Sequence, residues 1–344
     1  MKRQKNNKKE IGLPMEKKRI MPENDYQLFR SIAQLDQDQL RNQLFKVLKN
    51  RYTKVIANEH FIYAVGEIPI AVLAHMDTVF KAPPKEIYYD TRQNVILSPQ
   101  GLGADDRAGV FAILKILHAG LKPSIIFTTD EECGGLGAFA MMDKLDKPKT
   151  DLKYLIQLDR RGTNDCVFYD CDNKAFVQYV ESFGFRENWG TFTDISVICP
   201  EWGMAGVNLS IGYLREHSTS EILNVDDMYD TIDKVIAMLS EKDIPYFKYI
   251  PNQFAYTWDY DGKYVGAHKL YPNKRCFFCG DYFSDLETIP VEIVGEQGVK
   301  TVCSDCCLTA ITWCPNCDVA FKKGDDDTCP ICGFKPAAQD YNYD

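Results

Sequence analysis

Five segments of the chain end an apolar run in residues that bind cations or move protons. They are Ala74-His75-Met76-Asp77-Thr78, Gly103-Ala104-Asp105-Asp106-Arg107, Thr129-Asp130-Glu131-Glu132-Cys133-Gly134, Gln157-Leu158-Asp159 and Glu216-His217-Ser218. His75 and Asp77 lie two apart, so extended backbone points both to one side. Asp77 can then accept a hydrogen bond from the ring nitrogen that holds no metal, fixing the tautomer. Neighbouring carboxylates diverge in direction, so one of Glu131 and Glu132 can bind metal while the other stays free to carry protons. A mixed set of imidazoles and carboxylates suits zinc, or alternatively cobalt or manganese. Two ions sharing one carboxylate would make a two-metal site. Alone, each piece has a plainer explanation: Glu131-Glu132 a solvated acidic turn, His217 a loop histidine, Asp105-Asp106 a helix cap. Five of them at strand ends are hard to explain as solvated surface.

The elements that must position these groups read as alternating strands and helices. An amphipathic helix is expected over 25–49, where Leu28, Ile32, Leu35, Leu40, Leu44 and Leu48 recur at helical spacing. Strands are expected over 54–63, 69–74, 86–89, 95–97, 124–128, 153–158 and 207–211, and helices over 107–119, 175–183 and 226–240. Short apolar strands interleaved with helices imply an α/β fold, a three-layer sandwich around a mostly parallel mixed sheet. In such a sheet, ligands bind outside the carboxyl ends of the strands, where the five segments fall.

In this order the motifs resemble the di-zinc exopeptidase superfamily, with its aminopeptidase, tripeptidase and carboxypeptidase branches, over roughly 70–239. The resemblance implies that His75 and Asp159 complete one zinc site, that Glu132 and His217 complete the other, and that Asp105 bridges both ions. It implies Glu131 as the general base, Asp77 as the residue orienting His75, and a cis peptide between Asp105 and Asp106. Many relatives insert a lid or dimerisation domain. Here only 30 positions separate His75 from Asp105 and 58 separate Asp159 from His217, which leaves no room for one. Loops alone would serve the site, with lid contacts missing or supplied by a partner subunit. Arg160, Arg161 or Arg215 could clamp a substrate carboxylate, although a surface ion pair is an equally good reading. Thr193-Asp194 is a weaker match to a substrate-side loop. His60, His118 and His268 carry no such pattern.

Nine of the thirteen cysteines lie between Cys276 and Cys332, and eight form the pairs Cys276/Cys279, Cys303/Cys306, Cys314/Cys317 and Cys329/Cys332. Without a secretory signal, that spacing means metal rather than disulfides. Eight thiolates suffice for two closed tetrahedral zinc sites. Sequential pairing gives two units resembling zinc ribbons; cross-braced pairing is the alternative, and Cys307 is a spare that could replace Cys306. Cys133, Cys166, Cys171 and Cys199 read as reduced, packed thiols.

The 344 residues, 45% hydrophobic and 26% charged, can bury a real core and exclude a fibrous or wholly disordered chain. No apolar run approaches a membrane span, and the absence of a signal leaves a cytoplasmic expectation. The net charge of −9 argues against nucleic acid as a partner. The organisation expected is a basic disordered tail over 1–24, a lidless catalytic domain over 25–245, an aromatic linker over 246–275 and a zinc-ribbon module over 276–344. The module holds four Lys/Arg against twelve Asp/Glu, so protein contact or homo-oligomerisation suits it better than phosphate. The chemistry expected is metal-dependent hydrolysis of a peptide or small amide by an aminopeptidase or small-peptide hydrolase. Its cofactors would be two catalytic and two structural zinc ions. A deacylase on a non-peptide amide and a silent, protein-binding scaffold are the alternatives.

Overall fold

A computed structural model describes residues 18–145, 151–252, 274–279, 282–283, 288–314, 316–317, 319–324 and 328–335. The chain divides into two compact units, Met1–Ala255 and Tyr256–Asp344. Most of the expected basic tail and of the aromatic linker, including His268, lies outside the described residues.

Residues 18–24, expected in the tail, join the first unit instead. Met21 is buried, and the Arg19 guanidinium lies 4.3 Å above the Tyr229 ring and pairs with Asp233. The single helix expected over 25–49 is two, α1 (Glu23–Ala33) and α2 (Gln37–Arg51). The physical reason is a capping box: Asp36 accepts the Gln39 N–H at 2.8 Å, and Gln39 accepts the Asp36 N–H at 3.3 Å. The strand expected over 54–63 is a hairpin of β1 (Val55–Ala57) and β2 (Phe61–Ala64), which leaves His60 in the turn. Asn58 makes that turn by accepting the His60 and Phe61 N–H groups.

Next come β3 (Ile68–His75), β4 (Tyr88–Asp90), β5 (Val95–Leu97), α3 (Ala104–His118), β6 (Pro123–Thr128), α4 (Leu136–Lys144) and β7 (Tyr154–Arg160). After these follow β8 (Asp165–Val167), α5 (Lys174–Glu181), β9 (Arg186–Glu187), α6 (Asp194–Trp202), β10 (Gly206–Ser210), β11 (Tyr213–Leu214), β12 (Ile222–Asn224) and α7 (Val225–Leu239). Neither α4 nor α6 was expected. The first follows Gly134-Gly135, and the second contains Pro200, so neither shows a clean helical pattern.

The main sheet has the order β1-β2-β6-β3-β7-β10-β8-β9, with β6, β3, β7 and β10 parallel at its centre. Alternation along the strands feeds two cores. Ile70, Val72 and Ala74 of β3 face the layer of α1, α2, α3, α5 and α7, while Ala71 and Leu73 face α4 and α6. These three layers are the expected sandwich. A second, antiparallel sheet, β11-β12-β5-β4, borders the first. Helix α3 is buried on nearly all sides, as a helix packed between a sheet and other helices must be. The segment after α7 lays Phe247 among Tyr154, Phe176 and Tyr179.

Among the described residues of the second unit the strands pair as β13 (Lys274–Arg275) with β14 (Tyr282–Phe283), β15 (Thr288–Glu292) with β16 (Val299–Cys303), and β17 (Ile311–Cys314) with β18 (Val319–Lys322). Between the last two, Cys303 caps the short α8 (Ser304–Ala310) by accepting the Cys306 N–H. Its apolar clusters are small and include the cysteines themselves.

Candidate metal centre

Three neighbouring parallel strands deliver the expected residues to one place. His75 is the last residue of β3, Glu131 and Glu132 follow β6, and Asp159 lies near the end of β7. Asp105 stands at the head of α3, joined to Asp106 by a cis peptide, and His217 lies in the hairpin loop between β11 and β12.

His75 Nε2 lies 3.1 Å from Asp105 Oδ1 and 3.4 Å from Asp159 Oδ1. His217 Nε2 lies 3.2 Å from Asp105 Oδ2 and 2.9 Å from Glu132 Oε1. The two oxygens of Asp105 therefore face different histidines. Two donors on one tetrahedral cation, each about 2.0–2.1 Å from it, stand about 3.3 Å apart, and these spacings match. Asp106 also falls within the cluster with His75 and Asp159. Its oxygens, however, accept the His75 and Gly109 backbone N–H groups, so it braces the site rather than facing it.

Asp77 does two things. Its Oδ1 lies 3.2 Å from His75 Nδ1, and its two oxygens accept the backbone N–H groups of Glu131 and Glu132. One carboxylate thus orients the histidine and holds the acidic loop. Asp159 is braced by Gln157, Thr193 and Tyr213. Asp194 is buried and accepts the Thr128 hydroxyl.

The electrostatics demand positive charge. Asp77, Asp105, Glu131, Glu132 and Asp159 gather around two imidazoles, and charge of one sign crowded in low dielectric is costly. Burial, followed by the Asp159 charge, pushes the Glu131 carboxyl well above its ordinary range. Burial likewise lifts Asp159 to about 6. The bonds to Asp105 and Glu132 raise His217 to about 11. For His75 burial works the other way, yet the Asp159 and Asp77 carboxylates still hold its ring well above the usual value. The donor set, its spacing and its excess of negative charge all fit divalent cations. The side chain of His75 is 1% exposed and that of His217 51%, so solvent reaches the cluster from the His217 side.

The expected arginines lie nearby without forming one clamp. Arg161 pairs with Glu216 at 2.7 Å, Arg160 donates to the Trp189 carbonyl, and Arg215 is exposed at a φ of 60°. Sequence reasoning missed Glu221, a buried carboxylate that accepts the backbone N–H groups of Ala104 and Asp105. Its position four residues after His217 was the only signal. Tyr213 was missed for the same reason: nothing local ties it to Asp159.

In the second unit the cysteines cluster sequentially, as Cys276/Cys279/Cys303/Cys306 and Cys314/Cys317/Cys329/Cys332. The Cys279 and Cys303 sulfurs are 4.0 Å apart and those of Cys314 and Cys332 3.6 Å. Sulfurs on one tetrahedral zinc stand about 3.8 Å apart. The backbone N–H groups of Cys303 and Cys306 point at the sulfurs of Cys276 and Cys303, as in a zinc-ribbon module.

The sequence matches no protein-family model and no curated protein. Solved structures do resemble it. A tripeptidase from Staphylococcus aureus aligns with a TM-score of 0.53 at 15% identity, over 62% of this chain and 96% of its own. A TET aminopeptidase from a marine-sediment Thaumarchaeota archaeon gives 0.51 at 12% identity, over 64% and 98%. An aminopeptidase from the archaeon Desulfurococcus kamchatkensis gives 0.50 at 14%, over 64% and 96%. The likeness is one of fold: this chain has the α/β fold on which those aminopeptidases and the tripeptidase are built.

Proposed function

We propose that the first unit is a metal-dependent exopeptidase of the aminopeptidase or small-peptide hydrolase kind. The observation that carries this reading is the meeting of His75, Asp105, Asp159, Glu132 and His217 at coordination spacing with Glu131 beside them. His75 and Asp159 would hold one divalent cation, Glu132 and His217 a second, and Asp105 would span both. Zinc is the first candidate, cobalt or manganese the next. When bound, the cations supply Lewis acidity toward the substrate carbonyl and the attacking water.

The chain's own residues do the rest. The Glu131 carboxylate accepts the proton that water loses as its oxygen attacks the carbonyl carbon. It then returns that proton to the amine nitrogen as the carbon–nitrogen bond breaks. Asp77 keeps Glu131 in place through its backbone and keeps His75 in one tautomer. The fold shared with solved peptidases supports the substrate class. The two four-cysteine clusters would hold one structural zinc each.

Glu131→Gln tests the reading. Loss of the carboxylate should lower peptide hydrolysis by about 10²–10⁴-fold with the metal content unchanged. Full activity in that variant would sink the assignment.

A further inference from the structure

The loop between β11 and β12 carries both His217 and Glu221. Of this pair only His217 belongs to the cation cluster. Glu221 is 1% exposed, and both its oxygens are engaged: Oε1 accepts the Asp105 N–H at 3.0 Å and Oε2 accepts the Ala104 N–H at 3.1 Å. The loop therefore grips Asp105 twice. His217 meets its side chain at 3.2 Å, and Glu221 holds its backbone. The two strands flanking the loop are paired, Tyr213 to Leu223 and Leu214 to Ile222. The ring His217–hairpin–Glu221–Asp105 is thus closed, and the separation of His217 from Asp105 is no longer free. Gly103, which precedes these donors at a φ of 65°, has no side chain to cap them.

We propose that Glu221 is a positioning residue: by clamping the Asp105 backbone to the His217 loop, it sets the affinity of the cation position that His217 shares with Glu132 and Asp105. This rests on the two-cation reading above. The position of His75 and Asp159 would share Asp105 as well, but its other two donors stand on β3 and β7 and not on the loop that Glu221 closes, so it depends on Glu221 less.

Glu221→Gln preserves the shape of the side chain but offers one good acceptor where two peptide N–H groups point, so one bond is lost. In the full-length, zinc-loaded protein, competition with a chromophoric chelator reads each zinc affinity. The variant should lose about 10–100-fold at the position His217 shares, with a smaller loss at the other first-unit ion, which shares only Asp105, and the Cys-bound ions unchanged. His217→Ala identifies that position independently, and Glu221→Gln added to His217→Ala should cost little more there. Glu221→Ala, if it folds, should weaken the same position further. Equal weakening of both ions, or a lower melting temperature with unaltered zinc affinities, would make Glu221 a structural cap and overturn the proposal. If the wild-type first unit takes up no tightly bound zinc, the two-cation reading itself falls, and this inference with it.

Discussion

Gly109→Ala pits helix propensity against tertiary contact. Gly109 lies inside α3, where alanine is favoured over glycine by about 1 kcal/mol. A propensity argument alone predicts a more stable protein. The structure predicts the reverse. A Cβ there would stand 2.3 Å from the Leu158 carbonyl oxygen and 2.4 and 2.5 Å from the Asp106 carboxylate oxygens. Ordinary contact begins near 3.4 Å, so something must move by about 1 Å. Neither neighbour is soft. Leu158 belongs to β7, paired with β10, and Asp106 is pinned by the N–H groups of Gly109 and His75. Overpacking of this kind costs about 1–3 kcal/mol, and the rigidity on both sides places it at the upper end. The net cost is then about 2 kcal/mol, or a fall of roughly 4–8 °C in the melting of a unit this size. Leu158 precedes Asp159, so the same displacement should lower peptide hydrolysis by about 10²-fold. Thermal unfolding followed by circular dichroism, with a peptidase assay on the same samples, measures both. A variant that melts at or above the wild type with full activity would refute the close packing of α3 on β7.

Away from the site, Asp25 gives a pH-dependent prediction. Partial burial works against its charge, but the bonds from Lys115 and Tyr229 outweigh this and hold its carboxyl below the ordinary 3.8. A carboxyl depressed in the folded state stabilises at pH values above its unfolded pKa, and the gain vanishes as pH falls through the folded one. Asp25→Asn should therefore lower stability at pH 7 by at most about 1 kcal/mol, with the difference between wild type and variant shrinking as pH falls below the ordinary 3.8 in denaturant titrations. A difference that does not shrink on acidification below 3.8 would assign the effect to packing. In the second unit, Cys314→Ser alters a fully buried thiol of the second cluster. It should remove one zinc per chain by elemental analysis and unfold that segment, since a structural zinc supplies about 10–16 kcal/mol. Peptide hydrolysis by the first unit should be unaffected. An unchanged zinc content would remove Cys314 from the ligand set.

Much of this architecture was legible because its causes are local. Apolar runs closing in His75, Glu131 and Asp159 marked strands and their functional ends, and Cys-x-x-Cys spacing marked the thiolate pairs. Helices α3 and α7, each 15 residues long, were expected over 107–119 and 226–240. The capping box at Asp36 and the Asn58 turn were local as well, but each is one polar residue inside a longer apolar pattern that outweighed it. Other features were decided by contacts that no window along the chain contains. Glu221 reaches Asp105 across 116 positions. Thr193 and Tyr213 reach Asp159 from two different elements, and the four thiolate pairs could have combined in more than one way. Between Asp105 and Asp106, adjacent and chemically identical, sequence offered no preference beyond family likeness. The backbone donors of His75 and Gly109 occupy Asp106, while both histidines flank Asp105. Short-range patterning selects which segments become strands and where their polar ends fall. Long-range packing alone selects which of those ends meet, because only the assembled sheet, together with α3 and the β11–β12 loop, brings their side chains within bonding distance.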